Sequence, residues 1–120
     1  MSNDALTRSL SREQEITISV TGRKSGRTIS TPVWFIFEGG QVTLLPVKGS
    51  DTQWYKNVLA KPSLRIEARG AEGDFHVTPI RDATQVSAVV EKFREKYGAG
   101  DVKKYYSKLD VAVLAEPQSS

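Results

Sequence analysis

The chain has 120 residues and a mass of 13.3 kDa, enough for one domain with one core and too few for two. Its 38% hydrophobic and 26% charged content is that of a folded globular protein, and no run of about 18 apolar residues predicts a membrane span. Cysteine is absent and His76 is the single histidine, which excludes disulfides, iron–sulfur clusters and cysteine-ligated zinc. No metal site is expected, and a Ser-His-Asp triad would depend on that one imidazole. Lys and Arg number 17 against 14 Asp and Glu, a net charge of +3. The N-terminus lacks the apolar run of a secretory leader, so the expected compartment is the cytoplasm.

Residues 1–14 are polar and aperiodic, and are expected to form a flexible tail or at most a short helix. Over 15–21, Ile16, Ile18 and Val20 alternate with Thr17 and Ser19, the pattern of a half-buried strand. Gly22 and Gly26 mark a hairpin loop. Residues 28–38 are rich in β-branched and aromatic side chains. Apolar residues fall on both faces near the end of that run, which predicts one central strand, with Pro32 at a bulge or an edge. Gly39 and Gly40 turn the chain into a strand at 41–47.

Ser50, Asp51 and Thr52 are good helix caps, and a short amphipathic helix is expected over 51–60, ended by Pro62. A hairpin follows at 63–80, with its turn at 70–73. Asp82 is placed to cap a longer helix carrying Val86, Val90, Phe93 and Tyr97, with Gly98 at its end and one more helical turn at 101–107. A last strand is expected at 109–115. The elements add up to a mainly β fold, a six-stranded antiparallel barrel or half-barrel with two or three flanking helices, over residues 15–117. Residues 118–120 are expected to be a flexible tail.

Two segments suit an anion. The loop 21–27 combines two glycines with Arg23, Lys24, Arg27 and the Ser25 hydroxyl, the donor set a phosphate needs, although it joins strand to strand and lacks the spacing of a P-loop. Lys48 and Gly49 sit just before a helix start, where free amides carry partial positive charge. Trp54 and Asn57 share a face of that helix and are placed to wall a ligand site, although covering the core is the more expected use for Trp54. Tyr97, Tyr105 and Tyr106 form an aromatic group near Gly98 and Gly100.

Taken together and in order, ThrGlyArgLysSerGly (21–26), Pro32, GluGlyGly (38–40), LysGly (48–49), TrpTyrLysAsn (54–57) and AlaLysPro (60–62) resemble the deazaflavin-dependent nitroreductase family. The resemblance spans about residues 16–117. It implies a split β-barrel of the FMN-binding type that holds the deazaflavin coenzyme F420 and passes hydride to a small planar acceptor such as a quinone, a nitroaromatic or an enone. It also implies that Arg23, Lys24, Ser25 and Arg27 hold the phosphate and acidic tail, that Lys48, Gly49 and Asn57 complete that site with Trp54 as its wall, and that Tyr97 or a backbone amide stabilises developing charge on the acceptor. Two alternatives remain open: an FMN-binding flavoprotein of the same fold, and a non-catalytic module for an anionic ligand. No specific nucleic acid partner is expected. A homodimer is expected from the apolar edge near Pro32 and Trp34.

Overall fold

The structure, a computed structural model, describes residues 4–118; the outer ends of both expected tails, 1–3 and 119–120, lie outside the described residues. In chain order the elements are α1 (Asp4–Leu10), β1 (Ile16–Thr21), β2 (Thr28–Val33), β3 (Phe35–Glu38), β4 (Gln41–Leu44), a 3₁₀ turn (Gly49–Asp51), α2 (Gln53–Ala60), β5 (Ser63–Ala68), β6 (Ala71–Ile80), α3 (Ala83–Tyr97), α4 (Ala99–Tyr105) and β7 (Ala112–Pro117). Among the described residues there are seven strands, one more than expected. They form a single antiparallel sheet in the order β2-β1-β5-β6-β7-β4-β3.

The additional strand arises because the expected strand at 28–38 breaks at Trp34. Its two halves lie at the opposite edges of the sheet, not at its centre. Val33 ends one edge strand and Phe35 begins the other, so the edges lie within one residue of each other, a reach of at most about 7 Å. The sheet must therefore curl back on itself, and Trp34 sits at the seam of the resulting half-barrel. Pro32 lies on the edge strand β2, where a missing amide costs no ladder bond to an outer neighbour.

The double-sided apolar run has a different cause from a central position. Phe35, Leu44 and Val113 point into the barrel with Ile16, Ile18, Val20, Ile66 and Phe75. Ile36, Leu45 and Ala112 point outward and are covered by Val86, Val90 and Phe93 of α3, Val102 of α4, and Tyr106. Helices α3 and α4 thus bury the outer face of β3, β4 and β7, which otherwise would be solvated.

Turn chemistry follows the glycines. Gly39 and Gly40 both have positive φ (56° and 79°) in the two-residue turn between β3 and β4. The β5–β6 turn is tighter than expected and uses Arg69 and Gly70, with φ 52° and 82°, so β6 begins already at Ala71. Asp82 caps α3 by accepting from the Gln85 amide at 3.0 Å, as its position predicts.

The N-terminal stretch takes the short-helix alternative to a tail. Residues Asp4–Leu10 form α1, and Leu6 and Leu10 are buried in the barrel-side core. Arg69 pairs with Glu13 at 2.6 Å, tying the following segment to the β5–β6 turn. At the other end, Gln118 donates from its backbone to Asp74 and from its side chain to Ser63.

Candidate functional site

A cleft of about 580 Å³ opens between the β2 edge, the first turn of α2 and the α4 end. Ile29, Thr31 and Val33, alternate residues on one face of β2, line it along its length. Trp54, Asn57, Thr52 and Gln53 close one side; Trp34, Tyr105 and Tyr106 close the other, with Leu45, Val47, Pro32 and Glu15 completing the wall. Its volume lies in the range of small-molecule sites, and the predominance of aromatic and aliphatic walls suits a planar guest.

Trp54 serves both uses weighed for it. It is buried in the barrel-side core and also forms cleft wall. Asn57 is buried, and its Oδ1 accepts from the Arg23 amide at 3.1 Å and from the Arg23 guanidinium at 2.8 Å. A second guanidinium nitrogen of Arg23 donates to Gln53 Oε1 at 3.0 Å. The basic loop is therefore pinned to α2 by Arg23, and that guanidinium lies against two residues of the cleft.

The rest of the loop is less open to an anion than its sequence suggests. The Gly22 amide donates to the Arg27 carbonyl, Gly26 to the Gly22 carbonyl, and Arg27 to the Ser25 hydroxyl. Ser25 thus braces the turn, and a Cβ on Gly22 would lie 2.9 Å from the Ser25 hydroxyl oxygen. Lys24 and Arg27 are exposed beside β2. Among the described residues, Arg23, Lys24, Arg27 and Lys48 have no carboxylate within 4.0 Å.

The segment at Lys48 and Gly49 also differs from the expected open helix start. A 3₁₀ turn precedes α2, and its amides are already used: Gly49 donates to Pro46, Asp51 to Lys48 and Thr52 to Gly49. The Ser50 amide and hydroxyl both donate to the Asp110 carboxylate, at 2.9 and 2.7 Å. An internal carboxylate therefore occupies the place expected for a ligand anion. Burial alone would raise the Asp110 carboxyl, but the two Ser50 hydrogen bonds and the Lys108 charge outweigh it and hold the group below the ordinary carboxylate range. Gly49, with φ 56°, permits this approach; a Cβ there would lie 2.0 Å from Asp110 Oδ1. Lys48 reaches the site through its backbone, whose amide donates to the Thr52 hydroxyl at 2.8 Å.

Tyr97 is placed outside the cleft lining. Its hydroxyl accepts from the Phe35 amide at 3.0 Å and donates to the carbonyl of Gln14 (2.8 Å) or of Phe35 (3.0 Å). Burial, opposed by the Phe35 hydrogen bond and helped by the Glu15 charge, pushes this phenol up to about 12. The hydroxyl thus has its hydrogen-bonding positions filled by backbone groups of the chain. The Tyr97 ring stacks on Trp34 at 4.3 Å with the planes 5° apart. Tyr105 meets the same indole edge-on at 5.5 Å. Lys96 donates to the Phe35 carbonyl at 2.8 Å and lies over the Phe35 ring, and desolvation lowers its pKa.

Sequence reasoning missed Trp34 and Gln53 as cleft residues. Gln53 and Asn57 stand four apart on α2, the spacing that puts both on one face, and this signal was available. Trp34 had no local signal, because its role depends on the sheet closing on itself. Among the described residues no group of three or more His, Asp or Glu is placed to hold a metal ion, and no helix is long and apolar enough to cross a membrane.

A curled antiparallel half-barrel with helices on one outer face and an aromatic cleft at its seam defines the structural class of the protein. Residues 6–113 match the family model described as "Uncharacterized protein conserved in bacteria (DUF2255)", and the chain belongs to that family. Solved structures share the fold. An F420-H2 dependent reductase is 20% identical over 87% of this chain and 95% of its own, with a TM-score of 0.68. HutZ, the heme storage protein from Vibrio cholerae, is 13% identical over 98% of this chain and 90% of its own, with a TM-score of 0.70. A conserved hypothetical protein from Mycobacterium tuberculosis is 15% identical over 100% of this chain and 82% of its own, with a TM-score of 0.75.

Proposed function

We propose that the cleft holds the reduced deazaflavin coenzyme F420 and that the protein is an oxidoreductase that delivers hydride to a small planar acceptor, a quinone, nitroaromatic or enone. The observation that carries this reading is an aromatic cleft whose α2 residues Gln53 and Asn57 hold the Arg23 guanidinium, at the start of a basic loop without carboxylate partners among the described residues. The aromatic walls fit a flat ring system, and the cations fit a phosphate and an acidic tail, so the residues present suit the coenzyme.

When bound, the deazaflavin supplies a hydride from its ring carbon. The chain's own part is placement. Arg23, held by Asn57 and Gln53, and the exposed Lys24, Arg27 and Lys48 bind the phosphate and the acidic tail. Trp54 walls the ring site. Trp34, Tyr105 and Tyr106 exclude water from the acceptor end, and Tyr97 positions Trp34 by stacking behind it. Ser25 and Gly49 shape their loops rather than touch the ligand. No side-chain nucleophile is needed, because bringing donor and acceptor to about 3–3.5 Å supplies most of the rate.

The second reading, FMN in the same cleft, is favoured by one feature: the Arg23 guanidinium is the one cation bonded to cleft residues among those described, enough for a single phosphate. Side-by-side titration of the protein with F420 and FMN separates the two. F420 binds more tightly, and the Lys24→Ala, Arg27→Ala double variant weakens F420 about fivefold or more while FMN changes less. Equal or tighter binding of FMN, with F420 indifferent to the double substitution, assigns the cleft to FMN instead.

A further inference from the structure

The cleft lining carries a single charge, and it stands at one end. From Ile29 to Val33 the cleft follows β2 for four residue steps, about 13 Å. At the Ile29 end stands the loop that carries Arg23, Lys24 and Arg27. At the Val33 end stands Glu15, the residue before Ile16, which pairs with Val33. Glu15 is the one charged residue among those lining the cleft. Among the described residues no Lys or Arg nitrogen lies within 4.0 Å of its carboxylate. The lining at that end is Pro32, Val33, Trp34, Tyr105 and Tyr106, and the Tyr97 phenol behind Trp34 feels the Glu15 charge. Outside the lining, Lys104 lies 5.3 Å from the Tyr105 ring, and Lys96, bonded to the Phe35 carbonyl, lies 5.0 Å from the Tyr97 ring.

We propose that Glu15 selects the acceptor by charge: the Trp34 end of the cleft takes neutral or cationic planar molecules and rejects those bearing a carboxylate or sulfonate. The inference rests on the reading of the cleft as the coenzyme and acceptor site. Glu15 is exposed, so salt weakens its field, but at low ionic strength an unpaired carboxylate beside aromatic walls repels an anion placed against Trp34. The same charge keeps an acidic tail at the opposite, basic end, which gives an elongated ligand a single direction of entry.

Both tryptophans of the chain, Trp34 and Trp54, line this cleft, so intrinsic fluorescence reports its occupancy without any coenzyme. The probes are naphthoquinone and naphthoquinone sulfonate, titrated into the coenzyme-free full chain at low ionic strength. Wild-type protein binds the parent quinone at least about threefold more tightly than the sulfonate, a ratio typical of one partly screened charge. Glu15→Gln brings the ratio close to one, and Glu15→Lys reverses the preference. Equal binding of the two probes to wild-type protein, a gap that survives Glu15→Gln, or quenching by neither probe overturns the proposal. No coenzyme is present at any step, so the outcome is independent of the F420 and FMN titration, and either can fail alone.

Discussion

Two polar side chains, Asn57 and Tyr97, illustrate how the packing around a residue decides its use. Both were candidates for touching a ligand. Asn57 faces the cleft and also holds the backbone and side chain of Arg23, so it sets where the basic loop lies. Tyr97 joins α3 to the seam through the Phe35 amide and carbonyl and the Gln14 carbonyl. Tyr97→Phe removes the acceptor of a buried amide and lowers stability by about 1–3 kcal/mol in urea unfolding. If the phenol instead acted on the acceptor, that variant would lose turnover with an unchanged unfolding midpoint. A phenol raised to about 12 stays neutral through the physiological range, so neither outcome depends on its ionisation.

At the scale of elements, the alternation of Ile16, Ile18 and Val20, the glycine pair after Glu38 and the Asp82 cap were legible, because each is a local pattern with a local cause. The break at Trp34 was not legible. It is imposed by closure of the sheet, and an apolar run buried between barrel and helices reads the same as one buried between strands. Helix α1 was legible only as the alternative to a tail, for a related reason. Only Leu6 and Leu10 of this short helix reach the core, too few positions to establish a period, yet both are almost fully buried (2% and 3% exposed). Leu10→Ala accordingly costs about 2–5 kcal/mol in chemical denaturation. A change under about 0.5 kcal/mol would restore the description of this stretch as a tail. In the candidate site, Arg23, Trp54 and Asn57 were legible as a group, whereas the occupation of the Ser50 amide by Asp110, 60 residues away, was not.

The whole molecule is a half-barrel with its two sheet edges brought together at Trp34, and its cleft opens at that seam. Ile29 and Val47, 44% and 42% exposed, form an apolar border on the open side of the cleft. The homodimer expected from the apolar sheet edge would cover this border. Sedimentation equilibrium gives twice the 13.3 kDa chain mass, and charged replacement of Ile29 returns the monomer; a wild-type monomer at tens of micromolar contradicts the expectation.

The claim that the cleft between β2 and α2 holds the coenzyme can be checked through the two tryptophan indoles that line it. In nitrogen-15 spectra of the full chain each indole N–H gives one resolvable signal, from Trp34 and from Trp54. Addition of F420 shifts both signals in proportion to occupancy, with the amides of Arg23 and Gln53 moving alongside them. Saturation with F420 that leaves both indoles unmoved, or that perturbs only the α3 surface around Arg81 and Arg94, contradicts the claim.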